Sequence, residues 1–162
     1  MGDREEVLSR YRDGTLHLER AVRGLSDMEL DTAPTGGGWT IRQIVHHLVD
    51  GDVLWTTCIK AALGNPEGEF SLQWYGTHSQ DVWAQRWEYA QRAIGPSLDL
   101  LKATRSQVLE LLGRVPDAWE RTIDVRLPNG DLEVLSVGTI VEMQSEHIPH
   151  HMKRIREILG EK

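Results

Sequence analysis

Residues Ser136–Leu159 read SVGTIVEMQSEHIPHHMKRIREIL. Val137, Ile140, Val141, Ile148, Ile155 and Leu159 recur at helical spacing and define one apolar arc. Ser136 has the side chain of an N-cap, so the stretch predicts a helix from about Val137 to Leu159. Inside it, His147, His150 and His151 crowd around Pro149. His147 and His151 lie four residues apart and stack on one side of the cylinder, near the line of Ile140, Gln144 and Ile158. His150 falls about 60° from His147 and about 100° from His151, away from the arc. The first two can share one object, and His150 cannot join them. Pro149 removes the bond to the Ser145 carbonyl and crowds that turn, at a local cost of ~3 kcal/mol or more. Either it sets the angle between His147 and His151, or the kink follows the curvature of the fold and a neighbouring loop or water satisfies Ser145.

Three more stretches carry the same periodicity. The first runs from about Asp3 to Leu25, with Gly14 as a weak point. The second follows Gly36-Gly37-Gly38, where Thr40 and Gln43 have the form of a capping box and Trp39 could act as a hydrophobic staple. It runs to about Leu63, where Gly64-Asn65-Pro66 stops it. The third spans roughly Asp81 to Leu112 after an aromatic loop, and Gly95-Pro96 bends it or splits it. Asn129-Gly130 signals a small β-hairpin with arms Thr122–Leu127 and Leu132–Leu135. Four long helices indicate an all-α four-helix bundle with a small hairpin before the last helix, formed by residues 1–162 as one domain. The long second and third connections can cross an end of that bundle.

The bulk numbers narrow the function. The chain has 162 residues, 40% of them apolar, and 18 Lys+Arg against 25 Asp+Glu give a net charge of −7. That balance argues against nucleic acid and against an anionic membrane surface. No apolar run approaches the ~18 residues of a membrane span, and the charged N-terminus lacks a secretory h-region. Met1-Gly2 opens a myristoylation pattern that Glu6 breaks. Cys58 is the lone cysteine, set in an apolar helical segment, and reads as a buried small hydrophobe in a cytoplasmic protein.

On the second helix, Ile41, Ile44, Val45, Leu48 and Trp55 form the apolar arc. His47 flanks it, in line with Gly51, Leu54 and Cys58. His46 sits nearly opposite and is expected to be more exposed. Gly51, one turn after His47, removes a side chain where a ligand would need room. The sequence thus offers His47, His147 and His151 as inward-leaning imidazoles, with no other dense polar network evident beside them. Three histidines leave one position of a tetrahedral metal open to water or substrate.

GGWTIRQIVHHLVDGD (37–52), the last helix, and YGTHSQDVWAQRWEYAQRAIGPSLDLLKATRSQVLELL (75–112) together resemble the DinB/YfiT-like superfamily. The resemblance covers nearly the whole chain. It implies a bundle in up-down-down-up order and a divalent metal held by three histidines, which map onto His47, His147 and His151. Zinc is the first candidate, with nickel, iron, cobalt and manganese as others. It also implies a small-molecule substrate handled by a hydrolase, a thiol S-transferase using a low-molecular-weight thiol, or a thiol-dependent isomerase. A homodimer is a candidate assembly, and a non-catalytic, stress-response bundle is the alternative.

A metal with an open position can deliver hydroxide or hold a thiolate. There is no H-E-x-x-H pattern to place a glutamate base. Asp50, Glu146 and His78 are the candidate proton-handling or outer groups. Asp50 lies about 60° from His47, and Glu146 about 100° from His147, both off the apolar arc. Trp74, Tyr75, Trp83 and Trp87 are expected in core packing, or as the wall of a pocket over the metal. His17 reads as a solvated helix residue.

Overall fold

The computed structural model describes residues 3–65 and 67–160. Four long helices form the body: α1 (Arg4–Val22), α3 (Ile41–Gly64), α5 (Ile94–Arg114) and α6 (Val137–Leu159). Short helices α2 (Asp27–Leu30) and α4 (Gln80–Arg86) sit in the connections. Local chemistry fixes most of the ends. Thr40 and Gln43 form the expected capping box of α3. Ser136 caps α6, and Gly160, at φ +71°, closes it in the left-handed conformation. Pro66, part of the expected stop after α3, lies outside the described residues.

Two boundaries differ from the sequence reading. The first helix stops at Val22, and a second capping box, Ser26 with Glu29, starts α2. The third helix does split, but ahead of Gly95-Pro96. The chain leaves the helix after Arg86, with Glu88 at φ +52°, and Pro96 sits in the first turn of α5. A proline there sacrifices an N–H that has no helical partner anyway.

Side-chain pairings set the helix directions. His46, Asp52 and Lys60 of α3 meet Ser97, Arg105 and Gln107 of α5 in ascending order, so these helices run parallel. Arg10 and Gly14 of α1 meet Ser145 and Ile148 of α6, another parallel pair. His47 packs on His151 while Gly51 packs on His147, so α3 and α6 are antiparallel. The order is therefore up-down-down-up.

The hairpin forms as β2 (Thr122–Arg126) and β3 (Leu132–Ser136), turned at Asn129-Gly130 with Gly130 at φ +93°. A strand that periodicity missed, β1 (Glu69–Ser71), pairs parallel to β2. Ile123 and Val125 point inward from β2 and close the apolar cluster of Cys58, Ile59, Val108 and Val137. Arg121 donates to the Leu63 carbonyl at 2.7 Å, fastening the sheet to the end of α3.

A second apolar cluster, around Leu18, Ile44, Leu48, Leu101, Ile148 and Ile155, fills the other half of the bundle. Between the two lies a polar layer. Arg105 donates bidentately to the Asp52 carboxylate at 2.7 and 3.1 Å, to the Tyr11 carbonyl at 2.6 Å and to the Gln144 carbonyl at 3.0 Å. Its guanidinium also lies 4.3 Å from the Tyr11 ring centroid. Gly14 makes room here, because a Cβ would stand 3.0 Å from Arg105 Nη1 and press on the guanidinium.

Removing one partner leaves a buried charge alone, which typically costs about 3–5 kcal/mol. Arg105→Met should lower the urea unfolding free energy by that order, and Arg105→Met with Asp52→Leu should regain most of it. A loss below ~1 kcal/mol for the single change would mean that the pair does not hold the bundle's centre.

Candidate metal centre

α3 and α6 bring His47, His147 and His151 together. One ring nitrogen from each lies within 4.8 Å of the others, and all three rings are half-buried. The Nε2 atoms of His47 and His147 are 3.2 Å apart, and the three ring centroids stand 5.0–5.1 Å from one another. Two nitrogens bound at about 2.0–2.1 Å to one tetrahedral ion lie roughly 3.3–3.4 Å apart, so this spacing suits a shared cation. No protein acceptor reaches the buried Nδ1 atoms of His47 and His147 among the described residues. Packing holds the rings, with the Gln80 side chain as a polar neighbour of His47. Trp39 stands edge-on to His47 at 4.9 Å, its indole N–H held by Asp81 at 2.7 Å. Gly51 admits the His147 ring, since a Cβ there would be 3.3 Å from His147 Cε1. The room that Gly51 makes is thus taken by a ring of the cluster itself.

Burial, then mutual repulsion, pushes His147 down to about 3 and His151 down to about 4; burial also lowers His47. At neutral pH the cluster is uncharged and its lone pairs are available, as cation ligation requires. It opens into a cavity of about 470 Å³ lined by Leu54, Tyr75, Gln80, Gln144 and His150. His150 is exposed, its ring 5.2 Å from that of His151, and it stands outside the trio. Gln144 is buried, and its Oε1 has no partner among the described residues.

The remaining candidates stand outside the trio, and of them Glu146 lines the same cavity. The Asp50 carboxylate is 3.2 Å from Arg92 Nη1. Glu146 is exposed and paired with Arg10 at 3.0 Å. His78 accepts from Arg86 at 2.6 Å and packs edge-on to Trp83. His17 is exposed. Cys58 is fully buried and its thiol is pushed up to about 12 by burial, so it offers no thiolate.

His46 contradicts the expectation of exposure. It is fully buried, with Nδ1 2.9 Å from Ser97 Oγ and Nε2 3.1 Å from the Arg92 carbonyl. A carbonyl only accepts, so Nε2 carries the proton and Nδ1 accepts from the serine. The side of α3 opposite the α6-facing arc is covered by α5, which a single apolar arc does not reveal. The Arg105–Asp52 network was missed in the same way. Its signal is a charge interrupting each apolar row, Asp52 after Leu48 and Arg105 after Leu101.

The shifts fix a pH dependence for the metal-free protein. Unfolded imidazoles take up protons near pH 6.5 (about), whereas the folded His147 and His151 resist until about 3–4. Between those values the unfolded chain binds more protons, so stability is full above about pH 6.5 and falls as pH drops toward 3. Urea midpoints measured from neutral to acid pH should show this, and His147→Gln with His151→Gln should flatten the slope.

The DinB superfamily profile matches residues 8–155. A relative from Geobacillus thermodenitrificans is 27% identical over 157 residues, covering 96% of this chain and 84% of its own. One from Bacillus cereus AH820 is 30% identical over 142 residues, covering 87% and 76%. Both carry the name "putative metal-dependent hydrolase". The solved structure of YfiT from Bacillus subtilis superposes with a TM-score of 0.76 at 21% identity, over 98% of this chain and 89% of that one. It is described as "a probable metal-dependent hydrolase with an unusual four-helix bundle topology". That likeness concerns the fold, and the profile match runs from α1 into the last turns of α6: this chain belongs to the DinB superfamily.

Proposed function

We propose that this protein is a metal-dependent hydrolase of small molecules, in which His47, His147 and His151 hold one divalent cation, zinc first among the candidates. The observation that carries this reading is the convergence of three uncharged ring nitrogens within 4.8 Å at the edge of a cavity. A divalent ion bound by three imidazoles supplies Lewis acidity that deprotonates water, or a thiol, near neutral pH.

The chain's own groups supply the rest. Leu54 and Tyr75 line the cavity and limit water around the reacting group. Gln144 also lines the cavity, where its amide can hydrogen-bond a bound group. His150, at the rim, is placed to pass a proton to solvent. Among the described residues no serine, threonine or cysteine lines the cavity, and Cys58 is buried in the sheet-end core, so the attacking atom comes from solution. The names of the relatives favour water over a thiol. The lone buried cysteine and the absence of a helix long and apolar enough to cross a membrane, among the described residues, fit a cytoplasmic role.

Purified protein should carry about one divalent ion per chain, lost in His47→Ala and in His151→Ala, with cleavage of model esters or amides lost in parallel. His150→Gln should keep the ion and slow turnover by roughly 10²-fold, the low end for a lost proton-transfer group. A folded protein without metal affinity would select the non-catalytic bundle, and product formation that requires added thiol would select the S-transferase.

Gly51→Ala tests the fit of the trio. A helix-interior alanine adds up to ~1 kcal/mol of stability over glycine, yet this Cβ must displace His147 by a few tenths of an ångström. Unfolding midpoints should hold or rise while metal affinity falls; unchanged affinity would show that the ring's seat is not tight.

A further inference from the structure

A second cavity, also of about 470 Å³, adjoins the first and shares Leu54 and Tyr75 with it. α3 supplies Asp50, Val53 and Thr57 to its floor; Phe70, Trp74 and Trp87 wall it. Thr57 follows His47 by ten residues, so the joined space runs along roughly 15 Å of α3. Its surface is mainly aromatic and aliphatic, and Trp74 is half-exposed at 50%. The charged groups in it are Asp50 and Arg92, themselves ion-paired.

The pair is unequal in what it leaves over. Asp50 takes Arg92 Nη1 at 3.2 Å and has the hydroxyl of the buried Tyr89 beside it. Arg92 has five N–H donors, and among the described residues that one contact is the only hydrogen bond its guanidinium makes. One face of the guanidinium lies over the Tyr89 ring at 5.6 Å, and the side chain is 39% exposed. Its backbone is anchored independently, since the Arg92 carbonyl accepts from buried His46. A held arginine with spare donors, at an aromatic wall, recognises a planar oxyanion attached to an apolar body. The nearby Asp50 charge disfavours a dianion such as a phosphate monoester.

We propose that this second cavity selects the substrate, and that the substrate class is an ester or amide with one arm made of a planar apolar group bearing a carboxylate. Arg92 binds the carboxylate, Trp74 and Trp87 hold the apolar group, and the scissile bond reaches past Leu54 and Tyr75 to the histidines. This rests on the metal-dependent hydrolase reading for the reaction, but the binding it describes needs no metal.

The test uses 3-phenylpropionate, with 3-phenylpropylamine and phenyl phosphate as contrasts, titrated against tryptophan fluorescence. Metal-loaded protein, chelator-treated protein and His151→Ala are compared. Phenylpropionate should saturate the signal with the same affinity in all three, and bind roughly tenfold more tightly than either contrast. Arg92→Gln, which keeps the carbonyl that His46 needs, should erase that preference; Asp50→Asn should keep it. Equal or tighter binding of the amine or the phosphate, an unaffected Arg92→Gln, or binding that disappears with the metal would overturn the assignment. Metal content measured on the same samples reports separately on the histidine trio, so either reading can fail alone.

Discussion

One guanidinium touches every long helix of the bundle. Arg105 stands on α5 and donates to Asp52 on α3, to a carbonyl of α1 and to a carbonyl of α6. Both side chains of the pair are almost fully buried, at 2% and 1% exposure. Taking such charges from water costs more than their attraction alone repays unless the geometry is good and the remaining donors are satisfied. Here they are satisfied by backbone carbonyls that exist only when α1 and α6 lie in register beside α5. Apolar packing tolerates a helix slipping along its neighbour; this arrangement does not. The layer divides the core into two apolar clusters and fixes how the four helices are seated between them.

The same layer positions the histidines. Asp52 faces α5 from the turn of α3 whose preceding residue, Gly51, faces α6 and receives the His147 ring. The Gln144 carbonyl bound by Arg105 lies one turn before His147 on α6. Locking that turn sets the height of His147 against α3, and His151 follows one turn later. α6 stays helical through Pro149, and the Ser145 side chain just before it is tied to Arg10 of α1 at 3.1 Å. Structural rigidity therefore lies on one side of the cluster and the open cavity on the other, an economy common to sites built on helix pairs.

Much of this was legible in the residues. The caps at Thr40 and Ser136, the hairpin turn at Asn129-Gly130 and the inward lean of His47, His147 and His151 all follow from local chemistry and a 3.6-residue period. What escaped was non-local. A helix in the middle of a bundle has two buried faces, so His46, judged from one arc, looked exposed although α5 covers it. β1 is three residues long and owes its existence to pairing with a strand some fifty residues later. Asp52 and Arg105 each interrupt an apolar row, but nothing local in the sequence points from one to the other.

The helix order itself explains where the cavity wall comes from. α3 and α5 are parallel neighbours, so the chain between them must return along the bundle's length, roughly 25 Å for the seventeen residue steps from His46 to Leu63. Antiparallel neighbours could be joined by a few residues and would leave the α3–α6 face bare. The obligatory return passes beside the histidines. It pairs as β1 at the sheet end, stacks Tyr75 on Trp83, and ties Trp39 to Asp81 beside His47. An all-helical bundle with the simpler up-down-up-down order could hold the same three rings, but it would have to build the walls of its cavity from insertions. Here the connection that topology demands also walls the cavity: of its aromatics, Trp74, Tyr75 and Trp87 line the space, and Trp83 packs against all three.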